Sequence, residues 1–255
     1  MAKIVGDLRG GFSPVVENFQ IGADVYVGQI LAADRAVAGG SVYPSANAAA
    51  GPDTAMAIVG VCESIVTSPT YNSTYVGDGG TYDTTQATQV ANDPIGPCRA
   101  KVGLITPTTL VQFPIVKDTI GTAPERKAAT TAVTDGLTFV ISTIDTSVSN
   151  YSTAYGSTGA NKGQYRKITT GAVATQTVLV AFTYDVAIGD YFVVANIVKG
   201  ACHFAFDSQI QGIDSSAALS NYFKGFCTTL DLSTAGSEKA VLTINATHLA
   251  IGAAA

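Results

Sequence analysis

A chain of 255 residues can bury a substantial core, as one large β domain or as two smaller ones. Apolar residues make up 47% of it and charged residues 13%, about half the charged share usual for a globular protein; either neighbouring subunits cover much of the surface, or Ser, Thr, Asn and Gln solvate it. A net charge of −5, with fourteen scattered Lys and Arg, argues against a nucleic-acid footprint, which needs clustered cations to displace counterions.

Residues 1–20 contain Gly6, Gly10, Gly11 and Pro14 with little periodicity and read as an extended N-terminal arm carrying Phe12. Its opening residues are charged and lack the apolar core of a signal peptide, so synthesis in a cytoplasm is expected. No run approaches the roughly 20 apolar residues needed for a membrane-spanning helix. From Ile21 to Ala32, Val25, Val27 and Leu31 alternate with Tyr26 and Ile30, as in a strand. Gly39-Gly40 marks a turn, Val42-Tyr43 can continue a sheet, and Asn47–Asp53 is a loop hinged at Gly51-Pro52.

Met56–Val66 is a strong strand candidate, with Gly60 as a bulge or a point of close approach. The polar, Gly-rich stretch from Thr67 to Gly80 follows. Tyr71 and Tyr75 within it, and Tyr82 just beyond, are candidate interface residues, because tyrosine gives contact area at low entropic cost; they can equally lie back on their own domain. Thr81–Val90, Cys98–Ile105 and Thr108–Val116 read as strands, and Pro114 suggests an edge position for the last.

Lys117–Thr131 is polar and rich in Ala and Thr, which makes residues 119–132 the expected linker. Leu137–Ile144 alternates as a strand. Asp145–Gly163 reads as one long Ser/Thr/Gly/Tyr loop, and loops longer than about 15 residues in compact domains are commonly functional or interface-forming. Tyr151 and Tyr155 are its candidate contact residues.

Asn161–Asp207 reads as four short strands divided at Thr170-Gly171, Ile188-Gly189-Asp190 and Lys199-Gly200. Val178, Val180, Phe182 and Tyr184 are expected on one strand face. Both alternating sets of Tyr191–Val198 are largely apolar, so that strand should be covered on both sides, within its domain or by a neighbouring subunit. Ser215–Lys224 is the one candidate helix, capped by Asp214 and Gly225, and Lys239–Leu249 is a final strand. A Gly/Asp turn feeding an apolar strand occurs at Ile21–Val27 and again at Ile188–Val193, a weak hint of two related modules. The expectation is an all-β chain of two barrel- or sandwich-like domains, residues 21–118 and 133–255, joined by 119–132.

Chemistry-bearing motifs are sparse. His203 and His248 cannot alone close a zinc site, and Cys62, Cys98, Cys202 and Cys227 lack C-x-x-C spacing; free thiols are expected rather than disulfides. The chain has no G-x-S-x-G elbow, G-x-G-x-x-G turn or P-loop, so no catalytic role and no cofactor is expected. Asp78 and Asp83 could offer oxygens to Ca²⁺, but without the spacing of an EF-hand a plain turn is the simpler reading. Asn72, Asn150 and Asn245 match glycosylation acceptors that would matter only in a secreted chain.

Gln164–Ile168 followed by Val186–Val193 is similar to a pattern in head-coating proteins of tailed bacteriophages. ADVYVGQIL, AIVGVCESI and PCRAKVGLITPTTLV resemble the small β-barrels of capsid decoration, or cement, proteins. The resemblance implies an accessory protein on the outside of the virion head. It would act as a homotrimer and bridge capsomers of the major capsid protein; neither nucleic acid nor membrane is expected as a partner, on the charge and the apolar runs described above. A major capsid protein is the nearest rival, against which stands the lack of a long helix; a tail or fibre component shares the composition. A secreted carbohydrate-binding module shares the architecture, but this chain has no Trp for a sugar platform and no export signal.

Overall fold

The computed structural model describes residues 2–10, 14–21, 25–34, 41–44, 56–66, 81–82, 99–116, 124–143, 152–172, 174–204, 206, 213–214 and 223–250. Among these the chain is all-β, with nineteen strands and one short 3-10 turn at Ala246–His248. It forms two compact units. The first takes in Met1–Phe113, Ser208–Gln211 and Thr243–Ala255; the second takes in Pro114–Asp207 and Gly212–Leu242.

The first unit carries β1 (Lys3–Asp7), β2 (Val16–Ile21), β3 (Val25–Tyr26), β4 (Ile30–Asp34), β5 (Ser41–Pro44), β6 (Met56–Val66), β7 (Thr81–Tyr82), β8 (Arg99–Leu104) and the start of β9 (Thr109–Val116). Strands β2, β5, β4, β6 and β8 close a barrel in that order. The expected N-terminal arm is therefore largely strand: β1 pairs antiparallel with β9, and β2 lies between β5 and β8. The strand expected across Ile21–Ala32 is broken by a turn at Gly28, whose φ of 81° a side chain would resist. Gly60 is the predicted close approach. A Cβ there would fall 2.0 Å from the Gly103 carbonyl oxygen, and the β4–β6 register slips beside it, between Leu31 and Ala32.

At the end of the chain, Leu249 bridges to Ile58, and the Ala250 N–H donates to the Ile58 carbonyl (2.7 Å). Residues 243–255 thus belong to the first unit rather than to the expected 133–255 domain. Pro114 sits inside β9, between the residues paired by β1, which end at Gln112, and those paired by β17 (Ile213–Asp214), which start at Ile115. Its missing N–H interrupts neither ladder.

In the second unit, β10 (Arg126–Thr131), β11 (Thr138–Ile141), β12 (Thr153–Gly156), β13 (Tyr165–Gly171), β14 (Thr175–Val178) and β15 (Tyr191–Ala195) close a six-stranded barrel in the order β10-β11-β14-β13-β12-β15. Two expectations are corrected here. Residues 126–131 of the expected linker are a barrel strand: Ala129 buries its methyl in the core, while Thr130 and Thr131 face out. Residues 153–156 of the expected long loop are another, paired on both sides by β13 and β15.

The barrel interior is filled by Ala129, Phe139, Ile141, Ala154, Ile168, Val178, Phe182, Val186, Phe192 and Val194. Phe139 and Phe192 stack at 4.7 Å, and Phe182 meets both edge-on at 5.9 and 5.3 Å. On β15, Phe192 and Val194 point into this core while Val193 and Ala195 are equally buried on the opposite face. The doubly apolar strand is covered inside its own unit.

The four strands expected across 161–207 are present as β13, β14, β15 and β16 (Gly200–Phe204). Beside β16 runs β18 (Phe223–Asp231), and beside that the first residues of β19 (Lys239–Ile244), where Thr228 Oγ1 donates to the Val241 carbonyl (3.1 Å). The expected helix 215–224 falls mostly outside the described residues. Its last two, Phe223 and Lys224, are strand, paired with Phe204 and His203.

The segment joining β18 to β19 is pinned to the barrel exterior. Arg126 donates to the Leu232 carbonyl (3.0 Å), pairs with the buried Glu238 carboxylate (2.9 Å) and bonds Ser157 Oγ; the Leu232 N–H donates to the Tyr165 hydroxyl (3.0 Å).

Candidate interaction surface

The segment between β14 and β15, residues 179–190, has little ladder pairing yet is held at many points. A strand was expected to run through Val180 to Tyr184 with one apolar face. Instead β14 stops at Val178. Beyond it only Phe182 and Val186 turn into the barrel core, while Leu179, Val180, Tyr184 and Ile188 are each more than half exposed. Tyr191 and Leu137 are exposed too. The break has a local cause. Gly136, at φ 63°, accepts the Phe182 N–H on its carbonyl (2.9 Å), and a Cβ at Gly136 would lie 2.6 Å from the Phe182 carbonyl oxygen. The chain therefore crosses the barrel end over Gly136 and carries Phe182 inward.

Polar side chains from 161–166 fix what lies beyond. Asn161 is fully buried; its Nδ2 donates to the Tyr184 carbonyl (2.9 Å) and the Asp185 carbonyl (3.3 Å), and its Oδ1 accepts from the Tyr184 N–H (3.1 Å) and from Gln164 Nε2 (3.1 Å). Gln164 Oε1 accepts from the Thr183 N–H (3.0 Å), the Thr183 hydroxyl (3.0 Å) and Arg166 Nη2 (2.6 Å). Arg166 also donates from Nε to the Ala181 carbonyl (2.8 Å) and from Nη1 to the Tyr165 carbonyl (2.9 Å), and its guanidinium lies 5.4 Å from the Phe182 ring centre.

Ile188 tops a tight turn. Gly189 takes φ 91° there, the Asp190 N–H donates to the Ala187 carbonyl (3.1 Å), and the Asp190 carboxylate accepts the Ala187 N–H (3.1 Å). At Leu137, the Asp135 carboxylate caps the N–H groups of Thr138 and Leu137; the Thr138 N–H is the chief cause holding that carboxyl below its ordinary value. The result is a set of apolar side chains presented to solvent on a backbone already ordered. Preorganisation of this kind lowers the entropic cost of binding.

The sequence-predicted contact residues are placed differently. Phe12, Tyr71, Tyr75 and Tyr151 lie outside the described residues. Tyr82 belongs to β7, opposite Val25 on β3. Tyr155 is buried on β12 with its ring 4.7 Å from that of Tyr165, so it builds the barrel wall instead of facing a partner.

The other polar candidates sit as follows. His203 is half-buried on β16, and its protonation is disfavoured first by burial and then by Lys224. Asn245 caps the 3-10 turn that holds His248, accepting the Thr247 N–H (3.0 Å). Asp78, Asp83, Asn72 and Asn150 lie outside the described residues, among which no group of three or more potential ligands could hold a metal ion. Cys62, Cys202 and Cys227 are free and buried, as expected; burial pushes the first two thiols up to about 12 and the third to about 11. Cys98 lies outside the described residues. No helix among the described residues is long and apolar enough to cross a membrane.

Comparison with known proteins returned no matching family model, no similar curated protein and no similar solved structure.

The exposed set in 179–191 had a legible signal: Leu179, Val180, Tyr184, Ile188 and Tyr191 are all apolar or aromatic. The pattern concealed that Phe182 and Val186 turn inward while these five face out, because Gly136 sets the break of β14 from a distant point in the chain.

Proposed function

We propose that this protein is a virion structural protein that binds the outer surface of a tailed-phage head and reinforces it by bridging capsomers of the major capsid protein. The observation that carries the reading is the rigidly held apolar display of residues 179–191, which suits adhesion to another protein surface. Low charge and all-β barrels fit the same role. The segments whose sequence resembles head-decoration proteins fall mostly on barrel strands and their turns, with Gln164–Ile168 on β13, Val186–Val193 leading into β15, and the earlier segments on the barrel strands β4, β6 and β8 and on β3 and β9 outside the barrels. Each contact is weak in isolation, and symmetry on the shell multiplies it.

The test is cryo-EM of virions that carry the chain, together with rebinding of purified protein to heads stripped of it. Density for the chain on the outside of the head is the expected result. Density at the tail, or as the continuous shell, overturns the proposal in favour of a tail component or a major capsid protein. In the rebinding arm, Val180→Asp/Ile188→Asp should keep the wild-type circular dichroism spectrum and lose head binding at least about tenfold, the effect of roughly 1.4 kcal/mol. Unchanged binding removes residues 179–191 from the interface.

A further inference from the structure

The second unit has an open cleft of about 520 Å³, within the size range of ligand sites, beside the outward face of β12 and β13 and the end of β18. Two exposed lysines, Lys167 and Lys199, bring charge to it, and no carboxylate is among the described residues that line it; Arg166 lines it too, but stands opposite the core residue Ala154 and turns its guanidinium to the core side of β13. Val198 and Leu230 supply an apolar wall. In a chain of net charge −5, these two lysines place cations at the cleft, with the Asp231 carboxylate near enough to act on the Tyr165 phenol.

The donors divide into spent and available ones. Arg166 has committed three of its five N–H donors, on Nε, Nη1 and Nη2, to the Ala181 carbonyl, the Tyr165 carbonyl and Gln164, and its guanidinium lies by the core ring of Phe182 instead of in the cleft. The Thr153 hydroxyl is spent on the Ile197 carbonyl (2.6 Å). Among the described residues, Lys167 and Lys199 have no carboxylate partner and both are exposed, and the Tyr165 hydroxyl, having accepted the Leu232 N–H, keeps its own proton to donate. Burial, the chief influence on that phenol, raises its pKa and keeps the proton in place.

We propose that this cleft binds a pair of carboxylates carried on a short apolar framework, as in an acidic stretch of another protein chain, with Lys167 and Lys199 meeting the carboxylates, Tyr165 donating to one of them, and Val198 and Leu230 packing the framework. Phosphate recognition favours a guanidinium fork, and the one arginine among the described lining residues turns its guanidinium to the core side of β13. Two lysine point charges beside an apolar wall suit carboxylates. The site is separate from residues 179–191 and does not depend on head binding.

The experiment is an amide NMR titration of the isotope-labelled full chain with N-acetyl-Asp-Val-Asp-amide, with succinate as a free diacid and with inorganic phosphate as a competing anion. Shifts at Tyr165–Lys167, Lys199 and Thr229–Leu230 are expected. They should weaken at least about tenfold in Lys167→Gln/Lys199→Gln, and disappear at about 1 M NaCl, where the screening length is about 3 Å. Succinate shifting the same residues as strongly as the peptide would uphold the carboxylate assignment and make a free diacid its source. No shift at these residues, shifts that survive the double substitution, or a stronger response to phosphate would overturn the assignment. Both lysines are exposed, so the double variant should retain the wild-type spectrum elsewhere.

Discussion

Gly159 stands at φ 71°, where a Cβ would lie 1.9 Å from the Asp190 carboxylate that closes the Ile188 turn. Gly159→Ala should therefore cost about 1–3 kcal/mol, from left-handed backbone strain compounded by the clash; a urea midpoint equal to wild type would show that the turn relaxes freely. Asn161→Ala leaves the Tyr184 N–H and carbonyl without their side-chain partner. Hydrogen exchange at Thr183–Asp185 should accelerate, with a stability loss of about 2–4 kcal/mol; unchanged exchange there would show that Gln164 alone holds the segment. The thiols of Cys62, Cys202 and Cys227 should resist iodoacetamide in the native state at about pH 8, since the thiolate is the nucleophile. For Cys62 and Cys202 the folded value is raised from 9.0 to about 12. Between those values the unfolded chain gives up protons that the folded chain keeps, so stability falls as pH rises through that window. Denaturation midpoints that hold steady from about pH 9 to 11 in wild type, and match those of a Cys62→Ala/Cys202→Ala variant, would contradict this.

Elements were legible in the sequence where alternation and apolar content agreed. Met56–Val66 was predicted to the residue, and the doubly apolar 191–198 stretch was rightly expected to be covered on both faces. β10 and β12 were hidden because RKAATT and TAYG have few large apolar residues. They are strands because their neighbours in the barrel need partners, and pairing, unlike burial, leaves little mark on composition. The same cause misread Tyr155, which looks like a loop tyrosine until β12 is known to exist. Deleting Ser152–Ala160 would thus remove a barrel strand, and loss of the second unit's cooperative unfolding is the expected result on calorimetry. Phe192→Ala, at the centre of the Phe139–Phe182–Phe192 cluster, should cost about 3–5 kcal/mol in urea denaturation; a cost below about 1 kcal/mol would mean that the cluster collapses to fill the space. The tie between the 231–238 segment and the barrel is tested by a pair of variants. Arg126→Met alone strands the buried Glu238 carboxylate and should be strongly destabilising, while Arg126→Met/Glu238→Leu should recover most of the loss.

For the whole molecule, the proposed head-binding role carries an expectation about assembly. A homotrimer is the expected state, and native mass spectrometry at high protein concentration measures it directly; monomer alone would leave trimer formation to the shell. Each of the two closed barrels runs its hydrogen-bond ladder around to its starting strand, so neither offers a row of unpaired backbone groups at an open edge. Proteins with such edges tend to zip together when crowded. A coat protein would be held in many copies at very high local concentration, and a barrel without edges can be packed there side by side while its backbone stays silent. Association through the barrels is then left to side chains, whose contacts are specific enough to stop at the correct neighbour and weak enough to be corrected when they do not; β16, paired only with β18 among the described residues, lies outside both barrels.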